Sequence, residues 1–354
     1  MRSVLALVAM ALAVASPIFA AKSHPAPHPA PHPAPHPAPP PASGSTGDLN
    51  HHHRIAKVPK GKDLRLKEND IKIMNFALTL EFMESEFFKR GAGKFKRKHY
   101  RLAQYSSELY DRFQTIAAQE TDHVNALKQA LGNNAVSPCE YEFGKSLDTV
   151  EDFVATARVL ETVGTSIYLA ATPLLSRPEL IGASASILTV EARHSSLLNE
   201  QEHASGFSNS FETALNFNQT WTLAHNMFKP GTCGPEKLLP DGLAPFPELT
   251  VLLPNGKEGK HHAKNPTTIY LKSSAIAAPT KSKKGRGPAL RKLYAAFLNN
   301  GKTAYAPVVY GSDPTIVIVQ PPQNLQGATY ILLTSSANDL NDANTVAGPT
   351  LKFF

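Results

Sequence analysis

The chain has 354 residues, of which 42% are hydrophobic and 18% are charged. This composition is that of a folded protein with room for two ordinary domains or one large one, and it excludes a largely disordered chain. The formal net charge of +7 excludes a strongly acidic protein and gives too little support for a specific nucleic-acid partner, while two cysteines exclude a disulfide-dense scaffold.

The first residues have the pattern of a secretory signal peptide. Arg2 precedes an apolar run over Val4–Val14, and small residues follow near residue 20. A membrane anchor is the alternative, but the run is shorter than the roughly 20 residues that a transmembrane helix needs. We therefore predict removal of residues 1–20, secretion of the mature protein and no membrane-spanning segment.

Residues 21–60 are predicted to be a disordered tail rich in histidine and proline. Four copies of His-Pro-Ala-Pro fill residues 24–39, and three histidines stand at 51–53. Such a polyproline tract cannot pack into a core. Its imidazoles suggest loose metal scavenging, whereas its stiffness suggests a spacer or a tail that contacts the cell wall. We favour the spacer, because disordered histidine tracts bind metals weakly and unselectively.

Residues 61–235 are predicted to form a helical bundle. Only three of the 29 prolines lie between residues 60 and 229, and a helix interior excludes proline. Apolar residues recur there at steps of three and four, which is the period of an amphipathic helix. The pattern predicts four main helices and a short fifth one, over residues 70–91, 102–131, 147–173, 184–203 and 217–227.

The last segment, residues 236–354, is predicted to be a smaller antiparallel β-rich unit. Fourteen prolines follow residue 229, and Gly, Pro and Asn separate short β-prone runs. A short helix is expected over 290–298, and the basic stretch before it, Lys281–Arg286, is interpreted as a solvated loop, with contact to a polyanion as the alternative. The predicted strands cover residues 249–253, 267–271, 315–319, 329–333 and 350–354.

Acidic and imidazole side chains interrupt the apolar stripe of each main helix. The first and third helices each contribute a Glu, and the second and fourth each contribute Glu-x-x-His, whose two members share a helical face. This order is the pattern of di-iron and di-manganese carboxylate bundles. The alternative is that these residues form surface salt bridges. Residues in surface salt bridges would lie on the polar face of each helix, whereas these lie on the apolar face. The predicted metal ligands are Glu81, Glu120, His123, Glu161, Glu191 and His194.

The residue types of this set match the charge of two metal ions. Four carboxylates neutralise two divalent ions and can bridge them, while each imidazole gives one nitrogen per ion. The predicted cofactor is therefore a pair of divalent ions, Fe or Mn, and Zn is compatible with the same donors. Glu84 lies on the face of Glu81, so it is either an alternative ligand or, like Tyr168, a neighbour of the ligands.

A further Glu-x-x-His pair, Glu200 and His203, provides an internal contrast. Glu200 lies nine residues beyond Glu191. At about 100° per residue, it points to the opposite face of the helix. We therefore predict that this pair faces solvent and binds no metal.

Two modifications are predicted for a secreted chain. Cys139 and Cys233 are the only cysteines, and we expect one disulfide between them. Asn218 begins the one N-glycosylation sequence, Asn-Gln-Thr. It stands at the start of the predicted fifth helix, so its occupancy is left open.

Four separated segments of the helical region resemble the secreted ferritin-like proteins of fungi and plants, which are described as stress-response or desiccation-related. The segments are NFALTLEFMESEFF, QETDHVNALKQALG, LETVGTSIYLAA and ILTVEARHSSLLNEQEHASG. The resemblance covers residues 68–235. It implies a mainly α fold, a ferritin-like four-helix bundle, with the six predicted ligands at its metal positions. Phe88 stands where many such proteins have tyrosine, which argues against a tyrosyl redox role there.

Three functions are compatible with these residues. The first is a metal-binding protein that protects against oxidative or desiccation stress. The second is a di-metal oxidase, or an enzyme that dismutates peroxide as manganese catalases do. The third is a structural cell-wall or surface protein that retains the fold, with the cell wall or extracellular matrix as its partner. A structural protein need not keep six buried polar groups, so the first two are favoured; the oligomeric state is left open.

Overall fold

The structure is a computed structural model, and it describes residues 66–252, 266–276 and 291–354. The predicted signal peptide, the His/Pro-rich tail and the basic stretch Lys281–Arg286 lie outside the described residues. The predicted segment boundaries at residues 60 and 235 stay predictions. Within the described ranges, none of the helices has both the length and the apolar character that crossing a bilayer requires.

Among the described residues, four long helices form the predicted bundle, two short helices accompany them, and a β-sheet follows in the sequence. The helices are α1 Glu68–Lys94, α2 Arg97–Leu102, α3 Ser107–Leu131, α4 Val150–Ala171, α5 Pro178–Gln201 and α6 Phe217–Ala224. The long helices pack mainly as two pairs, α1 against α3 and α4 against α5. Each pair contributes one helix with a single ligand Glu and one helix with Glu-x-x-His.

Aromatic rings fill one end of the bundle. The ring centroids of Phe113 and Phe153 lie 4.5 Å apart, and Phe87 and Phe88 pack against them. All four side chains are fully buried. Burying one such ring contributes roughly 1.5–3 kcal/mol, and ring pairs add about 0.5–1.5 kcal/mol. Phe88 is therefore part of the aromatic core that holds α1 to α3 and α4.

Two helix starts differ from the sequence prediction by five residues or more. The second long helix, α3, begins at Ser107 rather than at residue 102, because Ser106 caps it by accepting a hydrogen bond from the Leu109 backbone N–H. Leu102 instead ends α2 and is 81% exposed, so it does not belong to the apolar stripe. Helix α5 begins earlier than predicted, at Pro178, because the first turn of a helix does not need the missing N–H.

The described residues of the C-terminal segment form a seven-stranded sheet in which every paired neighbour is antiparallel. Its strands are β1 Thr250–Leu252, β2 Ile269–Lys272, β3 Tyr294–Asn299, β4 Lys302–Tyr310, β5 Ile316–Val319, β6 Ala328–Thr334 and β7 Thr345–Phe353. The spatial order is β1-β2-β5-β4-β3-β6-β7. The five predicted strands overlap β1, β2, β5, β6 and β7, although β7 begins at Thr345, five residues before the predicted start. The mainly α fold with a smaller β-rich unit is confirmed.

The helix predicted over residues 290–298 is wrong, and β4 was not predicted. Residues 295–299 are all buried, because β3 lies between β4 and β6 with side chains packed on both faces. A short apolar run of this kind does not distinguish a buried helix from a buried strand. The missed signal is the turn: Asn300 and Gly301 have positive φ values of 52° and 67° and connect β3 to β4. Asn-Gly is the preferred pair for such a hairpin turn.

The sheet packs on the bundle through helix α4. The Tyr330 hydroxyl of β6 is hydrogen-bonded to Ser166 Oγ at 2.7 Å and donates to the Thr162 carbonyl at 3.1 Å. The Arg158 guanidinium lies over the Phe353 ring, 3.4 Å from its centroid. Helix α4 is therefore covered by the sheet on one side and by the other long helices on the opposite side. This position explains why its residues from Leu160 to Tyr168 are all buried.

The predicted disulfide between Cys139 and Cys233 is confirmed. It joins the loop after α3 to the segment after α6, across 94 residues of sequence. An antiparallel bridge between Tyr141 and Phe228 runs beside it. The disulfide thus fastens the segment that leads to the sheet onto the loop that leads to α4.

Replacing both cysteines by serine is expected to lower the free energy of unfolding by up to about 4–5 kcal/mol, the chain-entropy value for a loop of this length. Urea titration of the variant and of the wild type checks this value. Reduced wild-type protein is the control and should match the variant. Two reactive thiols in unreduced wild-type protein, or equal stability of the two proteins, would contradict the expectation.

Candidate metal centre

The four long helices bring all six predicted ligands to one place in the bundle interior. Helix α1 supplies Glu81 and α4 supplies Glu161, while α3 and α5 supply the two Glu-x-x-His pairs. The four carboxylates are 0% exposed, and the two imidazoles are 6–7% exposed. Because residues three apart share a helical face, each Glu-x-x-His pair presents both donors to the same point.

The donors form two overlapping groups. In each group, one ligand atom from each residue lies within 4.8 Å of all the others. Glu120 and Glu191 belong to both groups, whereas the other four residues belong to one group each. Two shared carboxylates with one further Glu and one His on each side are the arrangement that two bridged metal ions need. The groups are Glu81, Glu120, His123, Glu191 and Glu120, Glu161, Glu191, His194.

Both imidazoles direct the same ring nitrogen at the carboxylates. His123 Nδ1 lies 3.1 Å from Glu191 Oε1 and 3.4 Å from Glu81 Oε2. His194 Nδ1 lies 3.2 Å from Glu161 Oε2 and 3.3 Å from Glu120 Oε1. The two Nδ1 atoms are thus equivalent in position, one in each group.

Many donor atoms of the cluster lack a hydrogen bond of good geometry within the described residues. Burial of a polar group without a partner is costly, and the cost is greater for a carboxylate. Such atoms are expected where the intended partner is a metal ion, which binds the lone pair of an oxygen or nitrogen and donates no hydrogen bond. The residues therefore fit a pair of metal ions. The atoms are Glu81 Oε2, both carboxylate oxygens of Glu120 and of Glu191, Glu161 Oε1 and His123 Nδ1.

The crowding of carboxylates changes the pKa values of the cluster. Burial raises the pKa of Glu161 well above its usual range, and the charges of Glu191 and Glu120 raise it further. Burial also raises the pKa of Glu84, again with a contribution from Glu191. Burial alone would lower the pKa of His123, but its contacts with Glu120 and Glu191 raise it overall. Protons or metal ions must therefore balance the negative charge.

The geometry favours Glu81 over Glu84 as the ligand from α1. Glu84 is buried, but its carboxylate belongs to neither group. Tyr168 lies beside the ligands, as predicted, and its hydroxyl donates a hydrogen bond to Glu81 Oε1. Burial raises the pKa of Tyr168 well above its usual range, so the hydroxyl keeps the proton that it donates.

Two residues of the site were missed by the sequence analysis. A Cβ at Gly164 would lie 3.0 Å from Glu191 Oε2 and 3.3 Å from Glu84 Oε1, so glycine leaves these carboxylates their space. Gln119 Oε1 lies 2.7 Å from His194 Nε2 and, as its acceptor, holds the ring with Nδ1 directed at the Glu161 carboxylate, where an unprotonated Nδ1 can bind a metal. Gln119 directly precedes Glu120, and that adjacency to a ligand is the one signal that could have indicated it.

Replacing Gln119 by leucine is expected to weaken metal binding by about 10- to 100-fold, because His194 loses the partner that orients it. Titration of the protein with Mn(II) under calorimetry measures the change. Gln119→Glu is the matched variant, since it keeps an acceptor oxygen and should retain most of the affinity. Equal affinity of the leucine variant and the wild type would rule out this role.

The second Glu-x-x-His pair, Glu200 and His203 at the C-terminal end of α5, is exposed, as predicted.

At the predicted glycosylation site, both polar atoms of the Asn218 side chain are hydrogen-bonded. Its Nδ2 donates to Asp342 Oδ2 at 2.7 Å, and its Oδ1 accepts from the Ala244 backbone N–H at 2.9 Å. Glycosylation of Asn218 stays a prediction, and it would require the contact with Asp342 to break.

The comparisons with known proteins agree with this geometry. Residues 69–203 match the model of the ferritin-like domain family, and all six candidate ligands lie within that range. The chain is also 26% identical over 154 residues to Protein rds1 of the fungus Schizosaccharomyces pombe. That match covers 44% of this chain and 38% of Protein rds1, so it spans less than half of either protein. Residues 69–203 are therefore a ferritin-like domain, and they carry the whole candidate metal centre.

Proposed function

We propose that the ferritin-like domain binds two divalent metal ions, iron or manganese, and that the protein is secreted and protects against oxidative or desiccation stress. The observation that carries the metal proposal is the pair of overlapping donor groups that share Glu120 and Glu191. Four carboxylates and two neutral imidazoles balance the charge of two divalent ions. Burial and the charge of Glu191 raise the pKa of the fifth carboxyl group, Glu84, which favours its neutral form.

The residues around the donors would control what the metal ions can do. When bound, such a pair of ions can exchange electrons with dioxygen or peroxide. Tyr168 donates a hydrogen bond to Glu81 and restrains that carboxylate, while Gln119 restrains His194. The aromatic layer of Phe113 and Phe153 keeps water away from one side of the site.

Two features support the extracellular part of the proposal. The Cys139–Cys233 disulfide is of the kind that persists in oxidising compartments. The N-terminal pattern of one early arginine and an apolar run is that of a signal peptide. The protective role rests on the resemblance to stress-response and desiccation-related proteins. Detection of the mature protein in the culture medium of its natural host, cleaved near residue 20, tests the localisation.

Metal analysis tests the binding proposal. Protein refolded or reconstituted with Fe(II) under nitrogen, or with Mn(II), should retain about two metal ions per chain after gel filtration. Zn(II) is the comparison ion and should bind to the same donors. Less than about one ion per chain under all three conditions would contradict the proposal. In that case a structural cell-wall or surface role takes its place.

A catalytic role is the second candidate, and the buried position of the donors favours it over mere metal scavenging. An oxidase would take Fe(II) as its substrate, and two Fe(II), one dioxygen and two protons would give two Fe(III) and one hydrogen peroxide. A catalase-like enzyme would convert two molecules of peroxide into two of water and one of dioxygen. An oxygen electrode distinguishes the two reactions, because the first consumes oxygen and the second releases it.

A further inference from the structure

An apolar cavity lies at the end of the bundle opposite the aromatic layer, and it is partly open at the surface, where Ala77, Ala126 and Ser184 in its wall are only half-buried. Its volume is about 30 Å³, and its walls come from all four long helices. Alanines at positions 77, 130 and 171 line it, where larger side chains would close the gap. At the aromatic end, by contrast, large side chains fill the space between the helices, and the rings of Phe113 and Phe153 are in direct contact. The bundle is thus closely packed on one side of the metal centre and open on the other.

The cavity begins about one helical turn from the donors. Ala77 precedes Glu81 by four residues on α1, which is about 6 Å along the helix axis. Ile187 precedes Glu191 by the same interval on α5. Tyr168 forms part of the cavity wall, and its hydroxyl contacts Glu81. Tyr168 therefore connects the cavity wall to the donor set.

The walls suit an apolar molecule rather than water or an ion. Among the lining residues, only Tyr168 and Ser184 have polar side chains. Tyr168 already donates to Glu81, and Ser184 Oγ is hydrogen-bonded to Thr172 Oγ1 at 2.7 Å. A buried water needs about two to four polar partners, whereas an apolar cavity stays dry and takes up apolar gases. The space is suited to roughly two or three heavy atoms, which excludes a lipid or other long ligand.

We propose that this cavity is a binding site for a small apolar molecule of the dioxygen class, held beside the metal centre. The role of the cavity beside the metal ions rests on the proposed function, whereas the class of its ligand follows from the volume and the apolar walls of the cavity. Hydrogen peroxide is polar and would find few free hydrogen-bond partners there. The site therefore favours an oxidase reaction, two Fe(II) oxidised for each dioxygen reduced to hydrogen peroxide, over the catalase-like one.

Xenon is the probe for the cavity, because it binds apolar cavities of this kind without any metal. Crystals of wild-type protein under xenon pressure should show a xenon atom between Ala77, Ala130 and Ala171. Ala130→Leu should fill the space and exclude it, and Ala130→Val is the smaller change if the leucine variant does not fold. Ala118→Leu, an exposed site on the same helix, should leave xenon binding unchanged. An ordered water in the cavity, or no xenon in the wild type, would overturn the assignment.

The second measurement is the rate at which dioxygen oxidises Fe(II) bound to the protein. Ala130→Leu should slow it by tenfold or more, with unchanged metal content, whereas Ala118→Leu should match the wild type. If a variant no longer binds xenon but oxidises Fe(II) at the wild-type rate, the cavity is a packing defect without a role in the reaction. That result would overturn the proposal. Failure of the wild type to bind metal would instead contradict the proposed function, and the xenon result would stand independently of it.

Discussion

Replacing both Glu191 and His194 by alanine is expected to abolish binding at both of the proposed metal positions, not only at one. Glu191 belongs to both donor groups, and His194 is the only imidazole of its group. The change therefore removes two of four donors from one position and one bridging donor from the other. Metal content after reconstitution with Mn(II), measured by elemental analysis, should fall from about two ions per chain to nearly zero.

The same double variant should lose its response to chelators. Metal that binds only the folded state adds to the free energy of unfolding, by about 4 kcal/mol per site when the free ion is a thousandfold above its Kd. Wild-type protein should therefore melt at a lower temperature with a chelator than without it, and the double variant should not. A variant that retains more than one ion per chain would show that other residues hold the metal.

Glu200→Ala with His203→Ala is the matched control. This pair has the same residue types, the same spacing and the same helix, but it is exposed and faces away from the donors. Metal content and chelator response should equal those of the wild type. Loss of metal in this control would mean that position on the helix face does not decide which Glu-x-x-His pair binds.

The donor set could be predicted because helical periodicity is a local property. Spacing alone puts His123 three residues from Glu120 on one face, and the order of the four helices then predicts one shared site. Gly164 and Gln119 could not be predicted in this way. Their roles depend on which side chains of α5 face α4 and α3, and that is decided by packing between helices that are distant in sequence.

The sheet shows where local patterns become ambiguous. The five strands at turn-rich boundaries could be predicted, but the run around Phe297 is buried on both faces and so lacks the alternation of a half-exposed strand. Asn300-Gly301 carried the missing information, because only a tight hairpin needs two successive residues at positive φ. The packing of Tyr330 onto Ser166 joins elements 164 residues apart, and no local pattern indicates it.

The metal-induced gain in stability is expected to increase with pH. In the chelated protein, burial and neighbouring carboxylates raise the pKa values of Glu161 and Glu84 above those of the unfolded chain. Their contribution to stability is then fully present below the unfolded pKa of about 4.3 and is lost as the pH rises above it. His123, whose pKa is also raised by its carboxylate neighbours, acts in the same direction. Chelated protein should therefore become less stable between pH 5 and pH 8.

The metal-loaded protein should show the opposite trend, because metal ions compete with protons for the same donors and binding releases those protons. Calorimetry with excess Mn(II) or with a chelator, at pH 5, 6, 7 and 8, measures both curves. The difference in melting temperature should be small at pH 5 and reach about 10 °C or more at pH 8. The Glu191→Ala/His194→Ala protein is the control and should show no difference at any pH. A wild-type difference that is constant across this range would contradict the idea that protons and metal ions compete for one buried cluster.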